Sequence, residues 1–526
     1  MPAAIEQVPD AQASEGASPG LRLTAGRWFW LALALTAGLA LALRAYDLTH
    51  NPPELFEDEL AGAASAWSIV TTGHDLGRTV LPFLATRLEL KQPLYGFSTV
   101  PFQWLLGHDA LAVRLPAVLF GSATVLLTAW LARCLGRSRV EQLMAAVLMA
   151  ILPWAVHLGR VGWEPASALP FTIGGAGLLW TGLEFGRPAR VVVAAVVLAV
   201  GAYTYQPALI INVLLAALAL VVHVPHLGRR DLVGISIGAF AALFVLVPYG
   251  LAARDPLFFQ RAAAISTFAH GFNAEDIGLA WTNYWAQWNP RWLFLEGTAN
   301  LRNEPDMGVV FPWVAPFLAL GALRLLQRRA AGDVLLLGWL ALGPVPAALT
   351  NDGVPHFLRG VAALPPLVVT SSVGLTCAWQ LAGRLPWASM VRPALAAVVL
   401  VIALQETTSA ALFYYRDYPA ASAGAWYYGT GEALTLARAD VPAGARLCIE
   451  TPSVSYWTFP QYVAWYLGHV PFTITEGTSD PRCGSSGTYL LVHMDTAIPG
   501  PSVIVGTASN YDGSPLFKLV RVGGSG

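Results

Sequence analysis

Long apolar stretches alternate with short polar turns along most of the chain, and this pattern predicts a protein that crosses a membrane many times. About eleven stretches approach the roughly 20 residues that a helix needs to span a bilayer. We place them at 28–45, 110–133, 140–157, 166–185, 191–205, 207–224, 232–251, 309–327, 334–350, 360–380 and 392–412. The pair 191–205 and 207–224 is the least defined, because only Gln206 and Pro207 separate the two runs.

Arginines predict the orientation of these spans. If the N-terminus is cytoplasmic, five groups of arginines fall in short inward loops: Arg133/Arg137/Arg139, Arg187/Arg190, Arg229/Arg230, Arg328/Arg329 and Arg384/Arg392. This is the positive-inside pattern of membrane proteins. An odd number of spans then places the C-terminus outside. We therefore expect a multi-pass protein of the plasma membrane with an extracytoplasmic C-terminal region.

The spacing of polar segments divides the chain into three parts. Residues 1–21, rich in Ala, Pro, Ser and Gly, predict a disordered cytoplasmic tail. Residues 22–412 form the predicted α-helical transmembrane domain. It carries a first outer loop at 46–109, with surface helices at 58–70 and 92–106, and an aromatic second outer loop at 252–308.

Residues 413–526 have lower hydropathy and short strand-like runs, which predict a small α/β domain outside the membrane. The runs lie at 446–450, 472–475, 489–494, 502–506 and 517–522, with helical candidates at 425–439 and 461–467. Cys448 and Cys483 lie in this region and are predicted to form a disulfide in an oxidising compartment.

Composition agrees with a membrane protein. Hydrophobic residues make up 55% of the chain and charged residues only 12%, where soluble proteins carry about 25% charged residues. No Gly-x-x-x-x-Gly-Lys-Ser/Thr stretch is present, so ATP-driven chemistry is unsupported. We expect the lipid bilayer as a partner and no nucleic acid.

The acidic stretch Leu55-Phe56-Glu57-Asp58-Glu59-Leu60, in the first outer loop, is the strongest candidate for chemistry. Ionisable residues beside a bilayer are costly unless they are used. Neighbouring side chains on a helix diverge by about 100°, so Asp58 and Glu59 must have different roles. We assign Asp58 as a general base for an acceptor hydroxyl or amine. Glu59 would orient a partner or pair with an arginine. The alternative is a capping role at a helix N-terminus.

Lys91 is one of only two lysines in the chain, and its outer position runs against the positive-inside trend. A compact ammonium suits a phosphate. Pro93 fits the first position of a helix, whose free N–H groups would face the same anion. The alternative is a lysine that extends to the membrane interface.

Further candidates lie at the outer ends of later helices. Arg160, His356 and Arg359 could cradle a phosphate or pyrophosphate together with Lys91, although ion pairs of the arginines with Glu164 or Asp352 are the alternative. Tyr203, Tyr205 and Gln206 could hydrogen-bond a sugar, although tyrosines also populate aromatic belts.

The sequence gives little indication of a metal site. The chain has no His/Cys cluster with ligand spacing. Glu57, Asp58 and Glu59 could bind a divalent cation through oxygen ligands, but nothing in the sequence requires a metal or another cofactor.

The acidic pair Asp58-Glu59, the two surface helices, the Lys91-Gln92-Pro93-Leu94 element about thirty residues later and the run of spans together resemble the GT-C glycosyltransferases. The most similar group is the protein O-mannosyltransferase and aminoarabinose-transferase-like set (family 39/83, RgtA/B/C/D-like). The resemblance is strongest over 28–225 and absent from the C-terminal domain. It implies a GT-C fold, a sugar donor carried on a polyprenyl phosphate and an inverting transfer without a nucleotide sugar.

Carried over residue by residue, the resemblance implies that Asp58 is the catalytic acid–base residue beside Glu59 and that Lys91 contacts the donor phosphate. Arg160 and Arg359 are looser matches. Gln92 departs from the common Lys/His-Pro-Pro-Leu element, which weakens the assignment of Lys91.

We therefore expect a hexosyl- or pentosyltransferase of the cell envelope that acts on a glycan, lipid or protein acceptor at the outer face. Two alternatives stay open. One is a non-enzymatic lipid or solute transporter, which would need charged or broken-helix features at mid-membrane. The other is an O-antigen polymerase or ligase.

Overall fold

The computed structural model describes residues 19–76, 84–85, 90–269, 271–298, 300–450, 459–468, 470–498 and 500–523. The predicted tail at 1–21 therefore lies outside the described residues, except for 19–21, which begin the first helix.

Helices dominate the described chain as far as residue 440. The first eleven are α1 (Pro19–Ala45), α2 (Glu57–Thr72), α3 (Pro93–Leu106), α4 (Ala110–Cys134), α5 (Arg139–Ile151), α6 (Pro153–Leu158), α7 (Ala168–Glu184), α8 (Pro188–Gly201), α9 (Gln206–His223), α10 (Arg229–Val245) and α11 (Val247–Ala252). The others are α12 (Pro256–Ala264), α13 (Ala274–Ala286), α14 (Pro290–Phe294), α15 (Ala315–Arg328), α16 (Ala331–Leu342), α17 (Val345–Ala348), α18 (Leu364–Ala382), α19 (Ala388–Leu412), α20 (Tyr418–Ser422), α21 (Thr430–Asp440) and α22 (Phe459–Tyr462).

Seven helical segments of the described chain are long and apolar enough to cross a membrane. They are Gly26–Ala45, Ala110–Cys134, Glu164–Glu184, Gln206–His226, Ala331–Ala348, Val361–Ala382 and Ala388–Ser422. The remaining predicted spans are helical but shorter or interrupted, because Pro153 starts α6 and Pro248 lies in the first turn of α11. The helical membrane architecture is confirmed, whereas the number of spans stays a prediction.

The first outer loop forms α2 and α3, close to the bounds predicted for its two surface helices. The two helices approach closely at Gly62 and Gly96, where a Cβ added to Gly62 would lie 3.3 Å from the Gly96 Cα. A short antiparallel pair, β1 (Leu84–Ala85) with β2 (Leu90–Lys91), leads into α3. This arrangement brings the start of α2 beside Lys91.

The C-terminal region folds into a mixed five-stranded sheet, which confirms the predicted small sheet domain. Its strands are β3 (Arg446–Ile449), β4 (Thr473–Glu476), β5 (Tyr489–His493), β6 (Ser502–Ser509) and β7 (Pro515–Val522), in the order β4-β3-β5-β7-β6. The first strand, β3, is parallel to β4 and β5, and β7 is antiparallel to β5 and β6. Cys448 and Cys483 are disulfide-bonded across 2.00 Å.

The sheet domain and the first outer loop share one hydrophobic core. Leu55 and Leu60 from the acidic stretch are buried in a cluster with Leu434, Tyr462 and Trp465 of the C-terminal region. A second, larger cluster lies mainly among the long helices and includes Phe56 of the acidic stretch. The C-terminal domain is therefore packed directly against the helix that carries the acidic stretch.

Candidate active site

The acidic stretch opens α2, where carboxylates are favoured by the partial positive charge of a helix N-terminus. Glu59 closes the turn by accepting a hydrogen bond from the Phe56 amide, 3.0 Å from Oε2. Its other oxygen, Oε1, accepts from the Gly162 amide at 2.7 Å. This approach needs glycine, because a Cβ at residue 162 would lie 3.0 Å from that oxygen.

Arg114 neutralises Glu59 inside the protein. Its Nε and Nη2 lie 2.9 and 3.0 Å from the two carboxylate oxygens, and both side chains are fully buried. The same guanidinium donates to the carbonyls of Leu48, Pro52 and Glu54. Glu59 thus makes the pair with an arginine that the sequence analysis expected. Its role is structural, since its oxygens are saturated and inaccessible.

Asp58 points the other way, as the helical geometry predicts. Its carboxylate is 30% exposed and lies 3.0 Å from the Lys91 ammonium, which is 14% exposed. Lys91 ends β2, and Pro93 stands in the first turn of α3. The structure thus brings together the two residues that the sequence proposed as the base and the phosphate ligand.

Charges around Asp58 control its protonation. Burial by itself raises the pKa of the Asp58 carboxyl, but Lys91, Arg261 and Arg302 outweigh burial and hold that pKa well below its usual range. Burial raises the pKa of the neighbouring Glu57 to about 7, and the charge of Asp58 adds to this effect. Asp58 is therefore ionised at neutral pH, whereas Glu57 holds its proton to higher pH than an ordinary glutamate does.

Arg261 and Arg302 are the site residues that sequence reasoning missed. Both come from the second outer loop, and both act electrostatically on Glu57 and Asp58. The Arg302 guanidinium also lies 3.8 Å from the centre of the Phe56 ring. Like Lys91, both arginines lie in a predicted outer loop, where the positive-inside trend does not expect them. The sequence therefore contained a signal that could have identified them.

Arg160 is buried, and its geometry contradicts the predicted contact with phosphate. Its Nη1 donates to the carbonyls of Leu43 and Arg44 at 2.9 and 3.0 Å, and Nη2 donates to that of Asn51 at 2.7 Å. Carbonyls at the end of a helix lack intrahelical partners, and Arg160 supplies these partners where α1 ends. Its role is therefore to hold the segment that leads to the acidic stretch.

Arg359 and His356 lie near the site but have protein partners. Arg359 forms an ion pair with Asp352 at 3.1 Å and donates a hydrogen bond to the Thr350 hydroxyl at 2.9 Å. The ion pair is the alternative to phosphate binding that the sequence analysis left open. The His356 Nδ1 accepts from the amides of Leu358 and Arg359. Burial, with the charges of Arg359, Arg261 and Arg302, holds the pKa of His356 well below its ordinary value. A neutral His356 cannot serve as a cationic phosphate ligand.

The three residues proposed to bind sugar have different environments. The Tyr203 hydroxyl donates to the Val245 carbonyl at 2.6 Å, and the Gln206 amide donates to the Phe258 carbonyl at 3.2 Å. Both contacts hold helices together. Tyr205 instead lies within electrostatic range of Asp58 and Arg261.

No group of three or more His, Cys, Asp or Glu side chains is arranged to hold a metal ion in the part of the chain that the structure describes. A divalent cation at Glu57 and Asp58 stays a prediction, and Lys91, Arg261 and Arg302 already supply positive charge there.

Comparison with known proteins gives one matching family. The family described as dolichyl-phosphate-mannose-protein mannosyltransferase matches residues 73–248, which is less than half of the chain. No sequence among the curated proteins matches.

Solved structures match over most of the chain. ArnT from Cupriavidus metallidurans bound to undecaprenyl phosphate has a TM-score of 0.56 at 14% identity, covering 94% of this chain and 98% of that one. The apo state of the same protein has a TM-score of 0.57 at 12% identity with the same coverage. The apo oligosaccharyltransferase of Archaeoglobus fulgidus has a TM-score of 0.54 at 13% identity, covering 89% of this chain and 69% of that one. At these identities the likeness concerns the fold, and the predicted GT-C fold is confirmed.

Proposed function

We propose that this chain, which has the GT-C fold, transfers a sugar from a polyprenyl-phosphate donor to an acceptor at the outer face of the plasma membrane. The observation that carries the proposal is the contact between Asp58 and Lys91 at 3.0 Å, beside two further cations. An ionised carboxylate and a cluster of cations are the two parts that such a transfer needs.

Lys91 has a different partner before and after the donor binds. Without a donor, its ammonium neutralises Asp58 and makes that carboxylate a weak base. A donor phosphate competes for the same ammonium. When Lys91 turns to the phosphate, fewer positive charges oppose the effect of burial on Asp58, and its pKa rises. Donor binding would thus activate the base at the moment when it is needed.

The transfer is then a single displacement with one proton transfer. The Asp58 carboxylate takes the proton from the acceptor hydroxyl or amine, and the acceptor atom forms a bond to the anomeric carbon. The bond from that carbon to the phosphate oxygen breaks, and its electron pair stays on the phosphate. Displacement from the opposite side inverts the anomeric configuration.

The cations stabilise the charge that this step creates. The donor is a phosphodiester with about one negative charge, and the released polyprenyl phosphate carries about −1.5 to −2 at neutral pH. The positive charges of Lys91, Arg261 and Arg302 all act on the carboxyl groups of Asp58 and Glu57. Interactions that strengthen as the leaving phosphate gains charge lower the barrier, and they do not merely tighten substrate binding.

The lipid tail of the donor needs an apolar path away from this cluster. A small cavity beside Tyr205 and Arg359 is lined mainly by apolar side chains such as Leu169 and Ile211, and it is too narrow for an isoprenoid chain. A larger apolar groove of about 220 Å³ lies among α7, α8, α9 and α10. We assign the isoprenoid units next to the phosphate to this groove, since it has room for them.

The experiment that tests this function uses the full-length protein in lipid nanodiscs with polyprenyl phosphates that carry different labelled hexoses or pentoses. Incubation with envelope glycans, lipids and proteins should release polyprenyl phosphate and label one acceptor class. The anomeric configuration of the product tests the inversion. A protein that moves the donor across a sealed bilayer without breaking it would be a transporter and would contradict the proposal.

A further inference from the structure

The C-terminal domain touches the acidic stretch itself. The turn that follows α22, Val463–Leu467, is π-helical, and it packs with α22 against α2. π-helical turns are rare and occur frequently at functional sites. Tyr462 and Trp465 from this segment are buried in the core that also contains Leu55 and Leu60.

Two phenols in this segment contact residues at the start of the acidic stretch, one through a side chain and one through the backbone. The Tyr466 hydroxyl donates to Glu54 Oε1 at 2.7 Å, across 412 positions of sequence. The Tyr462 hydroxyl lies 3.3 Å from the Leu55 carbonyl. Burial raises the pKa of the Glu54 carboxyl, while the bond from Tyr466 acts in the opposite direction. A hydrogen bond to a buried carboxyl group is stronger than one between neutral groups when that carboxyl is ionised.

From Glu54 the contacts continue to both sides of Asp58. The Glu54 carbonyl accepts from Arg114 Nη2 at 2.7 Å, and Arg114 holds Glu59. Glu59 in turn accepts from the Phe56 amide. Asp58 lies between these fixed neighbours, so its direction toward Lys91 depends on how firmly the segment 54–59 is held.

We propose that Tyr466 is a positioning residue: by holding Glu54, it lets the C-terminal domain set the place of Asp58 relative to Lys91. This inference rests on the proposed function only in the experiments that measure sugar transfer. It assigns to the C-terminal domain a part in the transfer reaction in addition to any contact with the acceptor. It also explains why the domain is packed on the start of α2.

The matched control is Tyr489, a buried tyrosine of the same domain that makes no hydrogen bond to the segment 54–59. Tyr466→Phe and Tyr489→Phe each remove one hydroxyl from a largely buried ring. If Tyr466 acts by positioning, Tyr466→Phe should lower kcat about tenfold, which corresponds to about 1.4 kcal/mol. The KM for the donor should stay within a factor of about two, because Lys91 and the arginines are unchanged. Tyr489→Phe should leave both constants near those of the wild type.

Hydrogen–deuterium exchange supplies a readout that does not depend on activity. The amides of Phe56 and Leu60, which are hydrogen-bonded at the start of α2, should exchange several-fold faster in Tyr466→Phe and at the wild-type rate in Tyr489→Phe. In addition, the double variant Glu54→Ala, Tyr466→Phe should transfer sugar no more slowly than the slower of its two single variants, because both substitutions remove the same contact.

Equal exchange in Tyr466→Phe and Tyr489→Phe, or rate losses that multiply in the double variant, would overturn the positioning role. If the wild type transfers no sugar while the exchange difference is present, the proposed function fails and the positioning role stands.

Discussion

Replacing Lys91 should change the pH dependence of the reaction as well as its rate. The Lys91 ammonium lies 3.0 Å from Asp58 and helps to hold the pKa of that carboxyl low. Lys91→Met removes the charge and keeps much of the apolar stem. Burial, which raises the pKa of Asp58, then has fewer charges to oppose it.

The size of the shift follows from the contact. An opposite charge within about 4–6 Å lowers a carboxyl pKa by about 1–3 units. Lys91 and Asp58 are 14% and 30% exposed, so solvent screens part of this effect. Arg261 and Arg302 stay in place. We therefore expect the acid limb of kcat/KM to move upward by about one unit. The loss of one group that stabilises developing charge should also lower kcat about 10²–10³-fold.

The assay is donor cleavage in nanodiscs between pH 2.5 and 8.5, with kcat/KM reporting the pKa values of the free enzyme. The range extends to low pH because the pKa of Asp58 lies well below its ordinary value. All variants carry Glu57→Gln, because burial raises the pKa of Glu57 and its titration would add a second limb to the profile. Lys91→Arg is the control, because it keeps the charge and should keep the limb near that of the parent. An unshifted limb in Lys91→Met, with the rate lowered, would refute the coupling between Lys91 and Asp58.

Further predictions concern stability. Arg114→Met leaves the Glu59 charge buried without its ion-pair partner, which should lower the free energy of unfolding by about 3–5 kcal/mol and lower the thermal midpoint strongly. The double variant Arg114→Met, Glu59→Gln should recover part of that loss. An unchanged midpoint in the single variant would contradict the assignment. Burial, with a contribution from Arg438, lowers the pKa of His108 from 6.5 to about 4. The folded protein then binds fewer protons than the unfolded chain, so stability should fall as pH drops from 6.5 to 4. His108→Gln should reduce this acid sensitivity in melting curves at pH 7.5 and 5, and equal sensitivity would count against it. In protein isolated without reductant, mass mapping should find Cys448 linked to Cys483, whereas two free thiols would contradict the disulfide.

Local periodicity was enough to predict much of the architecture. Apolar runs of membrane length and alternating runs of strand length depend on neighbours in sequence, so they can be read without a structure. The divergence of Asp58 and Glu59 is also local, because it follows from the turn of a helix. For that reason the structure places the two carboxylates on different partners, Lys91 and Arg114.

Other parts of the site depend on contacts that no local pattern encodes. Arg160 was predicted to bind phosphate, but it binds backbone carbonyls at the end of a helix. The tertiary fold decides which of these carbonyls lack partners, so the sequence could not reveal this role. Arg302 reaches the acidic stretch from a loop more than two hundred residues away in sequence. Tyr466 reaches Glu54 from a domain whose contact with α2 could not be inferred from hydropathy. Sequence spacing therefore pointed to Asp58 and Lys91, which the structure places in contact, and missed most of the groups that surround them.

The most direct test of the central claim is sugar transfer by Asp58→Asn, measured beside the wild type in the same nanodiscs with the same labelled donor. The substitution keeps the shape and polarity of the side chain and leaves Lys91 able to bind phosphate, so donor binding should be retained. The account predicts that kcat falls by about 10²–10⁴-fold, the usual contribution of a general base. A folded Asp58→Asn protein that transfers sugar at the wild-type rate would contradict it.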